Sequence, residues 1–388
     1  YLTRTLGVLY YGEVIFALTI AIILISISEF SLSWSGVSKI SKIQNNINEV
    51  NKSFSNLYSI QLFLTLFLSI ICLIIILLID ITYEKFLIFS SGILLVIGTS
   101  FFPLWLYQGL EKMKLLAFST VISRLFNLIL IILFVNSQSN AHLVLALQAL
   151  STSFAGIYCF LYLKAKIGLN YNLPSFNAVL LEFKNMLDLF ISRFYTSIYC
   201  NFSPMLLGSI AGPDQLAIYN VADRLQKIIR ALFIPFLEAG LPRVSSLMQA
   251  SGKDAFRLAL TILIIMCTVT FFGGVFLIIF GEFLIKLIAG TDFMEAYRLL
   301  ILFAFMPLIA AISGAIGVQL MIPLGLYRDF RRILKNALII SVISAVPLIM
   351  IWEDFGAVAS LFITELYVSI TMVIYLYKNQ LKIQHINK

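Results

Sequence analysis

FLTLFLSIICLIIILLI, residues 63–79, decides the fold class, because it carries no charge over nearly the length that a helix needs to cross a membrane. The chain of 388 residues is 61% hydrophobic and 12% charged, with a mean hydropathy of +0.99. These values exclude an ordinary soluble domain. Hydropathy predicts an all-α integral membrane protein. Its eleven predicted spans lie at about 12–33, 55–80, 86–107, 115–135, 141–164, 183–208, 217–241, 257–280, 296–323, 332–352 and 355–377.

The basic residues of the chain are concentrated in every second connection between these spans. The positive-inside rule therefore places the basic connections and the C-terminus in the cytoplasm. Eleven spans then put Tyr1 outside, and the sequence starts without Met, so we expect that a first transmembrane helix is missing from it. The basic connections are 34–54, 108–114, 165–182, 242–256, 324–335 and the tail after 377.

The net charge and the numbers of Cys and His limit which ligands and partners the chain is expected to bind. The net charge of +8 follows from the loop bias, so we expect contact with anionic membrane lipids and no binding of nucleic acid. Four scattered Cys and two His predict no metal site. No phosphate-binding loop of the GxxxxGK[ST] type occurs, which excludes an ATP-driven pump on this chain alone.

Two pairs of segments indicate an internal repeat. LGVLYYGEVIFA (6–17) aligns without gaps to AGPDQLAIYNVA (211–222), and residues 109–125 resemble 325–341 in their turn, basic cluster and following helix. Both pairs equate elements six helices apart, a plan used by transporters that bind substrate between the halves. We therefore predict an N-terminal lobe over 1–170 and a C-terminal lobe over 171–388.

One predicted span carries charge where charge is expensive. Residues 217–238, AIYNVADRLQKIIRALFIPFLE, place polar side chains within an arc of about 120°. Because charges that face lipid are costly, this polar stripe must face protein or water. It predicts the cationic wall of a substrate cavity. The alternative is a structural helix in which two members pair at i, i+4 spacing. The members are Asn220, Asp223, Arg224, Lys227, Arg230 and Glu238.

Further charged residues within the spans are candidates for the site. Arg124 and Arg193 are predicted to line the cavity; the alternatives are snorkelling for Arg124 and contact with another helix for Arg193. Energy coupling to H⁺ or Na⁺ would need a carboxylate or a cation site, and burial lets a carboxylate carry a proton. The alternative for each acid is a hydrogen-bonded structural role. No cofactor is predicted, and the candidate coupling acids are Glu29, Asp188, Asp223, Glu238 and Glu365.

Four segments resemble bacterial polysaccharide flippases of the O-antigen (Wzx) type. They are YLTRTLGVLYYGEVIFAL (1–18), FPLWLYQGLEKMK (102–114), LGSIAGPDQLAIYNVADRLQKIIRAL (207–232) and FIPFLEAGLPRVSSL (233–247). Those flippases belong to the MATE-like superfamily of multidrug, oligosaccharidyl-lipid and polysaccharide exporters. The resemblance implies twelve helices in two six-helix lobes, with the family's TM2–TM6 in 1–170 and TM7–TM12 in 171–388.

The resemblance also implies a function. It indicates a non-enzymatic inner-membrane flippase that moves undecaprenyl-pyrophosphate-linked oligosaccharide repeat units from the cytoplasmic to the periplasmic leaflet. Cations in the cavity would offset the charge of the pyrophosphate. A polymerase and a chain-length regulator are the protein partners implied. The alternatives are a MATE-like exporter of small organic molecules and a membrane enzyme acting on polyprenyl-phosphate sugars.

Overall fold

The computed structural model describes residues 1–33, 35–250, 252–321, 323–324 and 326–385. Within these residues the regular secondary structure is entirely helical, which confirms the predicted all-α class. Short 3₁₀ turns lie at Gln138–Asn140 and Thr291–Phe293, and a π-helix lies at Ala315–Met321. The α-helices are α1 (Leu2–Ser28), α2 (Ser35–Ile43), α3 (Ile47–Leu78), α4 (Tyr83–Ser100), α5 (Leu104–Gly109), α6 (Met113–Phe134), α7 (Leu143–Ile167), α8 (Phe176–Ile210), α9 (Pro213–Ala250), α10 (Gly252–Ile288), α11 (Ala296–Phe303), α12 (Met306–Gly314) and α13 (Tyr327–His385).

The predicted spans coincide with these helices. Eight helical segments of the described chain are long and apolar enough to cross a membrane. The helices α8 and α9, which hold more polar residues, are not among them. The last two predicted spans form the single element α13, whose direction breaks at Glu353, where φ is +48°. The protein is therefore a multi-pass membrane protein, and the count of eleven crossings stays a prediction.

The contacts within the chain divide it into two units, residues 1–197 and residues 198–388. The division falls inside α8. The lobes predicted at 1–170 and 171–388 rest on the sequence alone and stay a prediction.

The internal repeat predicted from the sequence is matched by a shared feature of the backbone. Gly7 has a φ of +68° and its predicted equivalent Gly212 has a φ of +94°, a region that favours glycine.

Unit 1 is held together by an aromatic core. The ring of Phe30 stacks on those of Phe183 and Phe190, each with a centroid distance of 4.4 Å. Trp105 is buried, and its Nε1 donates a hydrogen bond of 3.0 Å to Oε1 of Gln61 on α3. A buried indole thus keeps its polar edge paired, as packing in a low-dielectric interior requires.

The helices α4 and α7 of unit 1 pack closely because glycine replaces larger residues at their contact. A Cβ atom added to Gly156 on α7 would lie 2.2 Å from the carbonyl oxygen of Phe101, at the end of α4. On the facing side, a Cβ atom on Gly98 would lie 2.7 Å from the carbonyl oxygen of Ala149. Small residues that permit backbone approach are typical of membrane helix contacts.

Unit 2 has an apolar core formed by α9, α10, α12, the π-helix and α13. Small side chains, such as Ala259, Ala311 and Ala337, let these helices approach one another. The fully buried Gln319 of the π-helix donates a hydrogen bond of 2.8 Å from Nε2 to the backbone carbonyl oxygen of Leu237 on α9. This bond fixes the π-helix against the helix that carries the polar stripe.

Candidate functional site

The helix α9 carries the polar stripe and begins with favourable end chemistry. It starts at Pro213, directly after Gly212, and Asp214 lies in its first turn. Proline at the first helical position loses no intrahelical hydrogen bond, and an acid there interacts well with the helix dipole. The apolar side of α9 packs on α10, α11 and α12, with Tyr219 against the ring of Phe303 at a centroid distance of 5.3 Å.

The structure divides the predicted stripe into a buried edge and an exposed face. Asp223 is 4% exposed, whereas Arg224 and Lys227 are exposed and Asn220 is half-buried. The helical period explains the division. With Asn220 as reference, Lys227 and Arg224 lie within about 40° on either side, while Asp223 and Arg230 lie about 60–80° toward one side.

Asp223 is the hub of the buried edge. It accepts a hydrogen bond of 2.8 Å from Nε2 of Gln226, which is 2% exposed. It also forms an ion pair with Nζ of Lys227 one turn later. The local pair that the i, i+4 spacing predicts is therefore present. The two partners differ in burial, because the side chain of Lys227 is 60% exposed and that of Asp223 is buried.

A longer-range electrostatic interaction, without a direct ion pair between described residues of the two helices, joins α9 and α13. Glu365 is 4% exposed and interacts electrostatically with Arg230. Tyr199 and Cys200 of α8 interact electrostatically with both Glu365 and Arg230. These two residues of α8 therefore lie near both charged groups in unit 2. Two of the predicted residues, one cavity cation and one coupling acid, are thus neighbours. Sequence reasoning left Arg230 without an acid because Glu365 is distant along the chain.

The other predicted site residues are dispersed or lie outside the description. Arg124 is exposed on α6, flanked by the exposed side chains of Val121 and Leu125. Glu29 is half-buried at the C-terminal end of α1. Whether either takes part in transport stays a prediction. Three further candidates have side chains outside the described residues, namely Asp188, Arg193 and Glu238.

Sequence reasoning missed two ion pairs of buried acids. In unit 1, Glu13 is 7% exposed and lies 3.5 Å from Nζ of Lys85, the cation at the start of α4. In unit 2, Asp354 is 3% exposed and lies 3.2 Å from the guanidinium of Arg298. The predicted topology could have indicated both pairs, because it places the acid and the cation of each pair near the outer side of the membrane.

Metal binding has no support in the part of the chain that the structure describes. There, no three His, Cys, Asp or Glu side chains come together in a way that could hold a metal ion. Asp223, one of the acids predicted from the sequence, is paired instead with Lys227, as charges in a membrane bundle generally are.

Comparison with solved structures identifies the fold. An inward-facing multidrug resistance MATE family transporter of the MOP superfamily aligns with a TM-score of 0.77 and 12% identity, covering 99% of this chain and 93% of that one. The lipid II flippase MurJ in an inward closed conformation aligns with a TM-score of 0.70 and 16% identity, over 98% and 86% of the two chains. The predicted MATE-like fold is confirmed.

Comparison of sequences identifies relatives and the family. A putative O-antigen transporter of Escherichia coli (strain K12) is 27% identical over 98% of this chain and 92% of its own length. A putative O-antigen transporter of Shigella dysenteriae is 25% identical over 96% and 93%. These relatives are named transporters, in agreement with the expected non-enzymatic role. The family described as "Polysaccharide biosynthesis protein" matches residues 1–248. The chain therefore belongs to this family, and its resemblance to O-antigen flippases of the MATE-like superfamily is confirmed.

Proposed function

We propose that this protein is a flippase that moves undecaprenyl-pyrophosphate-linked oligosaccharide repeat units from the cytoplasmic to the periplasmic leaflet of the bacterial inner membrane. The relatives named O-antigen transporters support a polysaccharide precursor as cargo. The fold shared with a lipid II flippase is consistent with a lipid-linked form of that cargo. The basic C-terminal tail is assigned to the cytoplasm. Translocation proceeds by alternating access.

The observation that carries the proposal is the exposed cationic face of α9. Arg224 and Lys227 present two cations on this face, and the acid that pairs with Lys227 is buried beneath it. A membrane helix does not leave charges toward lipid. Arg and Lys both bind phosphate oxygens through charge-assisted hydrogen bonds. This face therefore suits the pyrophosphate of a lipid-linked sugar better than an organic cation.

Glu365 is the acid that we propose for energy coupling. It is buried, and its neighbour Arg230 is half-buried on the helix that carries the cationic face. Binding of a proton or Na⁺ at Glu365 would change the net charge beside Arg230 and so the attraction of this helix for an anion. A polymerase and a chain-length regulator of the same pathway are the proposed protein partners.

The test uses a bacterial host that lacks its own O-antigen flippase and measures its surface polysaccharide. Loss of one charge-assisted hydrogen bond costs about 1.5–3 kcal/mol, or about 10- to 100-fold in affinity. We therefore expect a large loss of polysaccharide for Arg224→Ala combined with Lys227→Ala. Arg331→Ala removes an exposed cation from α13 and is the matched control. Full polysaccharide from a properly inserted double variant would exclude the cationic face as the substrate site.

A further inference from the structure

A polar cavity lies in unit 1. Its volume is about 260 Å³, and residues of α3, of the connector 168–175 and of the start of α8 line it. The connector is the segment between α7 and α8. We call this cavity the asparagine pocket; its polar lining is Asn48, Asn51, Lys52, Ser55, Asn56, Asn172 and Ser175.

The helix α3 supplies one wall because of the helical period. Asn48, Lys52, Ser55 and Asn56 lie at i, i+4, i+7 and i+8, so they share one side of the helix. The helix is fixed at its start by Asn46, whose side-chain oxygen accepts from the backbone N–H groups of Asn48 and Glu49. Such an N-cap satisfies donors that the first turn leaves unpaired.

The connector supplies the opposite wall and is fastened to α3 by side chains. Asn51 accepts a hydrogen bond of 2.9 Å from the backbone N–H of Asn170 and donates one of 3.1 Å to the carbonyl oxygen of Gly168. Gly168 ends α7 with a φ of +72°, the left-handed cap that glycine favours. Ser55 accepts a hydrogen bond of 3.0 Å from the backbone N–H of Asn172. The walls of the pocket are therefore preformed.

The buried amide of the lining, that of Asn56, has no hydrogen-bond partner among the described residues. Asn56 is only 7% exposed, yet its side chain forms no hydrogen bond with any residue that the structure describes. Because Asn56 lines the cavity and its amide bonds no described residue, its donors and its acceptor are available to a ligand there. Lys52, in the same lining, forms no ion pair within the described residues and adds further donors.

The geometry points to a carbohydrate subsite, in which the asparagine pocket holds one sugar ring of the glycan before translocation. An amide offers both donors and an acceptor, which complement sugar hydroxyls, each a donor and an acceptor. The pocket is smaller than the about 300–1,000 Å³ typical of drug-sized ligands, so it admits one ring rather than a whole repeat unit. The positive-inside rule places this end of unit 1 in the cytoplasm. The identity of the ring as part of the cargo rests on the proposed function.

The test is direct binding to the purified full chain in detergent, measured by saturation-transfer-difference NMR. The probes are the methyl glycosides of glucose, galactose, N-acetylglucosamine and rhamnose, with inorganic phosphate and glycerol 1-phosphate as separate arms. We expect at least one glycoside to bind. We expect Asn56→Leu to weaken it about 3- to 10-fold, the loss of about one hydrogen bond. Gln61→Leu is the matched control, because Gln61 is buried on α3 but is already paired with Trp105.

A stability measurement separates a ligand-binding amide from a structural one. Because Asn56 has no partner among the described residues, Asn56→Leu should not lower the melting temperature, whereas Gln61→Leu should. Unchanged glycoside binding by Asn56→Leu would overturn the subsite, as would binding of glycerol 1-phosphate or phosphate alone, or of no probe. If the wild-type protein restores surface polysaccharide in the flippase-deficient host but binds no glycoside, only the carbohydrate subsite is overturned. If glycoside binding depends on Asn56 but the wild-type protein does not restore surface polysaccharide, only the proposed translocation function is overturned.

Discussion

Replacement of Asp223 should separate the two interactions that this buried acid makes on α9. Asp223→Ala removes both the acceptor for Gln226 and the counter-charge for Lys227. Asp223→Asn removes the charge but keeps an acceptor oxygen for Gln226. Because the two partners differ in burial, the two substitutions should differ in cost.

The magnitudes follow from the exposure of each partner. Gln226 is 2% exposed and its Oε1 atom already has no hydrogen-bond partner among the described residues, so Asp223→Ala leaves its whole amide unpaired. That loss costs about 2–3 kcal/mol. The ion pair with Lys227 contributes only about 0–1 kcal/mol, because the side chain of Lys227 is 60% exposed. Asp223→Asn should therefore cost at most about 1 kcal/mol.

The assay is thermal unfolding of the purified variants, followed by size-exclusion chromatography with fluorescence detection. In a unit of this size 1 kcal/mol shifts Tm by about 2–4 °C. Asp223→Ala loses both interactions, about 2–4 kcal/mol in total, and should lower Tm by about 4–16 °C, whereas Asp223→Asn should lower it by at most about 4 °C. Asp223→Asn should keep surface polysaccharide, since Lys227 keeps its charge. Equal destabilisation by the two variants would refute the reasoning, because the ion pair would then carry the stability.

Two further substitutions test the packing and the interaction of Arg230 with Glu365. Gly156→Ala places a Cβ atom 2.2 Å from the carbonyl oxygen of Phe101, at the end of α4, and should largely abolish the folded peak on size-exclusion chromatography. Gly168→Ala is the control, because its Cβ atom would lie in open space. It should lower the free energy of unfolding by only about 1–2 kcal/mol, because of the positive φ at this position. Normal yield of the first variant would contradict the close helix contact. Arg230→Gln removes a cation that interacts electrostatically with the buried Glu365, so we expect it to lower the melting temperature. Adding Glu365→Gln should recover part of the melting temperature, and strictly additive losses would show that the two groups do not interact.

Several features of the fold and site were predictable because they depend on neighbours in sequence. Long apolar segments such as 63–79 determine the membrane class, since their composition alone favours burial in hydrocarbon. The Asp223–Lys227 pair follows from the helical period, which brings residues four apart together. The alignment of 6–17 with 211–222 also matches Gly7 to Gly212, and both glycines have a positive φ.

Other features required the tertiary structure. Arg230 interacts electrostatically with Glu365, and Glu13 pairs with Lys85, only because helices distant in sequence pack side by side. The asparagine pocket likewise exists only where the connector 168–175 lies against α3.

The sequence by itself thus determined that the chain is a helical membrane protein and which side chains share a face of each helix. Only the tertiary structure decided which faces are buried, which acids meet which cations, and where a buried amide is left unpaired. The physical reason is that the period of a helix fixes directions around one axis, whereas contacts between axes depend on the packing of all the helices together.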